Sequence, residues 1–141
     1  MTVLFSTDLT PKLIDALYTE ALLLSDEART YFHDSSSSDR IDLAPQPRVL
    51  FSCEAIKVTT RLMYAISWLI AARRHAPPTR HFEWVAPSDD ALIEALPPTA
   101  ISLIVASEKL YDRVARLDAG ATCHPVMSPA RQLLSQLGAA L

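Results

Sequence analysis

The residues able to do chemistry are few and scattered. Histidines stand at His33, His75, His81 and His124, and cysteines at Cys53 and Cys123. A zinc-type site needs such ligands in closely spaced pairs. Cys123-His124 is one adjacent pair with no second half, so no metal ligand is assigned. Serines are plentiful, but there is no nucleophile elbow, and no histidine is placed locally to act as a base for one. The acid pair Asp89-Asp90 follows Ser88 at the start of a short helical stretch, where a hydroxyl cap and negative charge favour the helix N-terminus. Only two glycines occur, Gly120 and Gly138. Phosphate-cradling loops and dinucleotide fingerprints need several close together, which removes the common nucleotide-binding folds. No catalytic residue and no cofactor are assigned, and no enzyme activity is expected.

Recognition chemistry has better candidates. Arg61, Tyr64 and Trp68 fall on one helix face at three- and four-residue steps. These residue types are the ones most enriched at interface hot spots, so they are taken as candidate protein-interaction residues. The competing reading is that another part of the same chain covers them. Arg73-Arg74-His75 with Arg80-His81 forms a basic hinge. It could dock an acidic partner, although cations at a helix C-terminus already account for Arg73 and Arg74. Ser35 to Ser38, flanked by Asp34 and Asp39, reads as a polar linker. Cys53, beside Thr60 and Ser67, reads as close helix packing.

The element that positions these residues is the stretch Arg48–His75, which contains neither Gly nor Pro. Phe51, Ala55, Val58, Leu62, Ala65, Leu69 and Ala72 form one apolar stripe. Ile56, Thr59, Met63, Ile66 and Ile70 form a second beside it, and Glu54, Lys57, Arg61, Tyr64 and Trp68 a third. The two apolar stripes predict a central helix with at least two others packed on it, and Leu62 in the core. A first long helix is expected from a Thr10-Pro11 start to about Phe32, after an extended lead-in over 1–9. Ile14, Leu17, Ala21, Leu24, Ala28 and Tyr31 mark its buried face, with Leu13 and Phe32 beside it. Pro45 and Pro47 should delay the central helix to Arg48. The connection from His75 to Pro98 should carry a short extended piece at His81–Val85 and a short helix capped by Ser88. A third long helix is expected from Thr99 to Asp118, stopped by Gly120, and a last short helix carries Leu133, Leu134 and Leu137. The fold class is all-α: an antiparallel bundle of three long helices with one or two short additional ones.

At 141 residues the chain is expected to form a single domain over 1–141. The net charge of −3 gives no electrostatic footprint for nucleic acid. The N-terminus lacks the pattern of a signal peptide. The longest uncharged apolar run, Leu62–Ala72, is too short to span a bilayer. Two unpaired cysteines imply no disulfide framework, and a cytoplasmic, non-membrane protein is expected.

Thr59-Thr60-Arg61-Leu62-Met63, followed by Ser67-Trp68-Leu69, resembles the central helix of the RcdA family. The run Leu110-Tyr111-Asp112-Arg113-Val114-Ala115-Arg116-Leu117-Asp118 is similar to that family's third helix, and Ser128-Pro129-Ala130-Arg131 fits more loosely. The resemblance runs from about Leu13 to Leu137. It implies a homodimeric helical bundle acting as a non-enzymatic adaptor, one that helps bring cell-cycle regulators to the ClpXP protease. Its partners would be ClpX or regulatory substrates. The wide apolar arc independently predicts a homodimer, with the Arg61–Tyr64–Trp68 face in the contact. A small-molecule sensor or a structural helical-bundle dimer is the alternative. A helix-turn-helix regulator would need a tight turn before a basic helix, which the long connections do not supply.

Overall fold

A computed structural model describes residues 2–76, 85–123 and 136–139, with side chains for 10–76, 85–120 and 136–139. The described residues are helical with no strand: α1 (Thr2–Arg29), a π-helical turn (Thr30–Ser35), α2 (Ser37–Ile41), α3 (Pro45–Arg73), α4 (Asp90–Ile93) and α5 (Pro98–Cys123). The all-α bundle of three long helices is thus what the chain forms.

Side-chain pairs fix the helix directions. Asp15 accepts a hydrogen bond from Arg73 Nε at 2.9 Å, while Phe32 packs edge-on against Phe51. These pairs set α1 antiparallel to α3. Arg61 Nη1 reaches Ser107 at 3.3 Å, and Trp68 Nε1 reaches Asp118 at 2.9 Å. Both residue numbers rise together, so α3 and α5 run parallel. The antiparallel expectation therefore holds for α1 against its two neighbours and gives way at the third pair. A parallel pair needs a connection that returns along the whole bundle. That is why residues 74–97 far exceed the roughly 2–8 residues of an ordinary helix–helix loop.

The core lies between the three helices. Leu17, Ala21, Leu24 and Ala28 of α1 meet Phe51, Val58, Leu62, Ala65 and Leu69 of α3, and Leu103, Ile104, Leu110 and Val114 of α5. Leu62 is buried there, as its stripe requires. Ile93 and Leu96 from the returning connection close the open side.

Helix ends depart from local signals in four places. α1 begins at Thr2 and carries Pro11 inside it, so the expected extended lead-in is helical. Proline forfeits one backbone donor, but at an exposed position water can satisfy the freed carbonyl. Pro45 opens α3 instead of delaying it, since its fixed φ suits a first turn, where the missing N–H is not needed. α5 passes through Gly120. The left-handed stop occurs instead at His75, with φ 52°. Its amide bonds to Ala72 O at 3.1 Å and that of Ala76 to Ala71 O at 2.9 Å, the pairing that closes a helix C-terminus.

The serine-rich connection is built into the fold. Tyr31 Oη donates to Asp39 Oδ2 at 2.9 Å, and buried Ser36 donates to Phe32 O at 2.9 Å. The Arg48 guanidinium donates to the carbonyls of Arg40, Ile41 and Leu43 at 3.0–3.2 Å, satisfying groups that the end of α2 leaves open. The expected extended piece at His81–Val85 lies outside the described residues except for Val85. So do Leu133 and Leu134, while Leu137 is helical and exposed.

Candidate functional site

The three stripes of α3 are all present, and their surroundings differ from expectation. The first is buried as predicted. The third, bearing Glu54, Arg61 and Trp68, is turned inward. Glu54 and Arg61 are each 1% exposed. The second, apolar stripe faces out except for Ile66, which packs against the core: Ile56 is 67% exposed and Met63 55%.

The inward stripe forms a polar cluster under the returning connection. Arg61 Nη2 donates to Ala86 O at 3.0 Å and to Ser88 Oγ at 3.1 Å, and lies 3.8 Å from Glu108 Oε1. Its other nitrogen takes Ser107. Ser88 Oγ donates to Glu54 Oε2, and the Ser88 amide donates to Glu108 at 3.3 Å. Lys57 Nζ holds the second Glu54 oxygen at 3.1 Å. No buried polar side-chain atom among the described residues lacks a partner, which is the condition for burying charge at all. Farther along, Trp68 is 9% exposed and bonded to Asp118, and Tyr64 is half-buried. Arg61, Tyr64 and Trp68 do share a face, but residues 86–88 and α5 cover Arg61 and Trp68 and Tyr64 is half-buried, so the face is not the exposed aromatic patch expected here.

Ser88 also trades roles. Asp89 caps α4, accepting from the Ala91 amide at 2.9 Å, which frees the Ser88 hydroxyl for the cluster. Glu54, Ser107 and Glu108 were not marked by any motif, and Ser88 only as a helix cap. The available signal was the pair Glu54 and Arg61, opposite charges two turns apart on the same stripe as the large aromatic Trp68.

The outward stripe is a ridge. Val49, Ile56, Met63 and Ile70 follow one another at seven-residue steps, all exposed. The exposed residues between them are Ser52, Cys53, Thr59 and Ser67. Cys53 is thus at the surface rather than packed in a helix contact. Thr59 and Thr60 donate back to Ala55 O and Ile56 O at 3.0 and 2.8 Å, so these hydroxyls need nothing from outside. Three nearby cations are engaged elsewhere: Arg48 on carbonyls, Lys57 on Glu54, and Arg73 on Asp15 and over the Tyr18 ring at 4.3 Å; Arg74 is exposed one turn past Ile70, beyond the ridge's end. An apolar partner could cover this ridge without stranding a charge.

By length and composition α3 could cross a bilayer. Its buried Glu54 and Arg61, and the helices packed on two of its sides, account for it as the core helix of a bundle. Among the described residues no group of three or more His, Cys, Asp or Glu could hold a metal. His33 and His75 are exposed and apart. The phenol of Tyr31 is held above the usual tyrosine range, first by burial and then by its bond to Asp39 and the charge there.

These features define a class: a helical bundle with a parallel crossover, a filled polar core cluster, and one bare, uncharged helix ridge suited to contact. The chain belongs to the family described as "Protein of unknown function (DUF1465)", the RcdA family, which it matches over residues 5–77. It is similar to the crystal structure of RcdA from Caulobacter crescentus CB15, with 27% sequence identity and a TM-score of 0.59. That match covers 75% of this chain and 88% of the other. No curated protein matches the chain.

Proposed function

We propose that this protein is a non-enzymatic, cytoplasmic adaptor that works as a homodimer and helps deliver regulatory proteins to the ClpXP protease. The observation that carries the contact is the α3 ridge, with Ile56 67% and Met63 55% exposed. Soluble monomers seldom leave such a row bare. From Val49 to Ile70 it extends roughly 30 Å. Because the ridge holds no charge, two copies meet without like-charge repulsion, and a two-fold contact buries both faces at once. This moves the proposed dimer contact from the Arg61–Tyr64–Trp68 face to the opposite side of the same helix. The adaptor role rests on membership of the RcdA family together with a surface that offers contact rather than chemistry.

Two measurements test the reading. Sedimentation at micromolar concentration should give a dimer for the wild type and a folded monomer for the Ile56→Glu, Met63→Glu double variant. A monomeric wild type refutes the dimer, and a dimeric double variant refutes the ridge. Affinity capture from the native cytoplasm should recover ClpX or a response regulator. Recovery of neither, from bait that is folded and dimeric, refutes the adaptor role.

A further inference from the structure

The polar cluster reads a peptide. Arg61 takes the Ala86 carbonyl and the Ser88 hydroxyl, Glu54 accepts that hydroxyl, and Glu108 accepts the Ser88 amide. The three groups recognised all belong to any extended Ser or Thr peptide: a carbonyl, an amide and a hydroxyl. Main-chain bonds supply affinity in such recognition, and a side-chain contact supplies the choice. From this geometry we infer that the slot between α3 and α5 is an extended-peptide site that the protein fills with its own residues 86–88. A partner segment of the same chemistry, a small residue followed two positions later by Ser or Thr, competes for it. This rests on the protein-binding reading above and adds to it a second surface, one under control of the chain's own strap.

Three observations support exchange. First, the strap's Ala86 and Ser88 complete the bonding of the buried Glu54 and Arg61, which Lys57, Ser107 and Glu108 meet only in part. Stability alone gives little reason to keep these buried charges, because well-packed apolar residues often do as well. Second, lifting residues 86–88 opens the slot to water, which rehydrates Glu54, Arg61 and Glu108 instead of stranding them. Ile93 and Leu96, buried at 3% and 5%, can hold the remainder of the connection in place meanwhile. Third, the slot's charges balance: Lys57 and Arg61 against Glu54 and Glu108. It therefore selects for hydroxyl and backbone, not for net charge.

The probe is a fluorescent synthetic peptide with the sequence of residues 85–92, titrated against the full-length protein. Ser88→Ala removes the hydroxyl from the chain's own strap but not from the peptide. Folded Ser88→Ala protein should bind the peptide at least about tenfold more tightly than wild type, the scale of one lost buried hydrogen bond. A peptide with Ala in place of its Ser should lose that gain. Equal or undetectable binding by folded wild type and Ser88→Ala protein overturns the proposal. Amide exchange in the wild type decides the case without a variant. The Ser88 amide should exchange by local opening, at least about tenfold faster than the slowest α3 amides. Exchange of Ser88 only through global unfolding shows the strap to be fixed. Neither readout depends on ClpX or on dimer formation, so failure here leaves the adaptor reading standing, and the reverse.

Discussion

Arg61→Ala separates a buried structural cation from an interface residue. At a rim, truncating an arginine leaves stability within about 0.5 kcal/mol and weakens only the partner contact. In this structure Arg61 is 1% exposed and makes three hydrogen bonds of 3.0–3.3 Å plus an ion contact at 3.8 Å. Its removal deprives the Ala86 carbonyl and Ser107 of their donor. It also leaves Glu54 and Glu108 facing each other's side of the cluster with only Lys57 to balance them. Breaking a buried pair from one side costs about 3–5 kcal/mol. Against a total of roughly 5–15 kcal/mol for a domain, that is about a fifth of the stability at the least and all of it at the most. At about 3–5 °C per kcal/mol for a chain of this size, the thermal midpoint should fall by roughly 9–25 °C. Arg61→Lys should lie between, because a point charge keeps the electrostatics and loses the fork that serves Ala86, Ser88 and Ser107 together. Urea unfolding by circular dichroism measures both variants. A loss under about 1 kcal/mol for Arg61→Ala would refute the buried cluster.

Other substitutions probe separate parts of the bundle. Leu62→Ala, at the junction of the three long helices, should cost about 2–5 kcal/mol, and an unchanged denaturation midpoint would show the core misassigned. Trp68→Phe deletes the bond to Asp118 and shrinks the buried ring. It should cost about 1–3 kcal/mol, and Asp118→Asn should restore little of it, since the indole donor is gone. Tyr31 carries a phenol held above its ordinary range. A raised folded value means that its contribution is complete below the unfolded value, about pH 10. Above that pH the unfolded chain ionises first, and stability falls by about 1.4 kcal/mol per pH unit. Urea midpoints from pH 8 to 11 should therefore decline more steeply for wild type than for Tyr31→Phe, and parallel curves would contradict the burial of Tyr31.

The sequence by itself determined the fold class, the three long helices and most of their buried faces. Periodicity suffices there: Leu17, Ala21, Leu24 and Ala28, or Val58, Leu62, Ala65 and Leu69, can be buried together only on one side of a helix. It also determined which residues share the stripe of Arg61 and Trp68. Which stripe faces inward was decided by tertiary structure. An apolar row such as Val49, Ile56, Met63 and Ile70 is read locally as core, and a row with Glu54 and Arg61 as surface. That holds only until a distant segment supplies Ser88, the Ala86 carbonyl and Glu108 as partners. Helix direction was likewise undecided locally, because a long connection permits either a hairpin or a crossover, and only the pairs Arg61–Ser107 and Trp68–Asp118 choose between them. Gly120 and His75 make the same point at a single residue. A glycine permits a helix to stop but does not require it. A histidine can take the left-handed position when the chain beyond it must turn back along the bundle, where the packing of residues 85–97 offsets the strain.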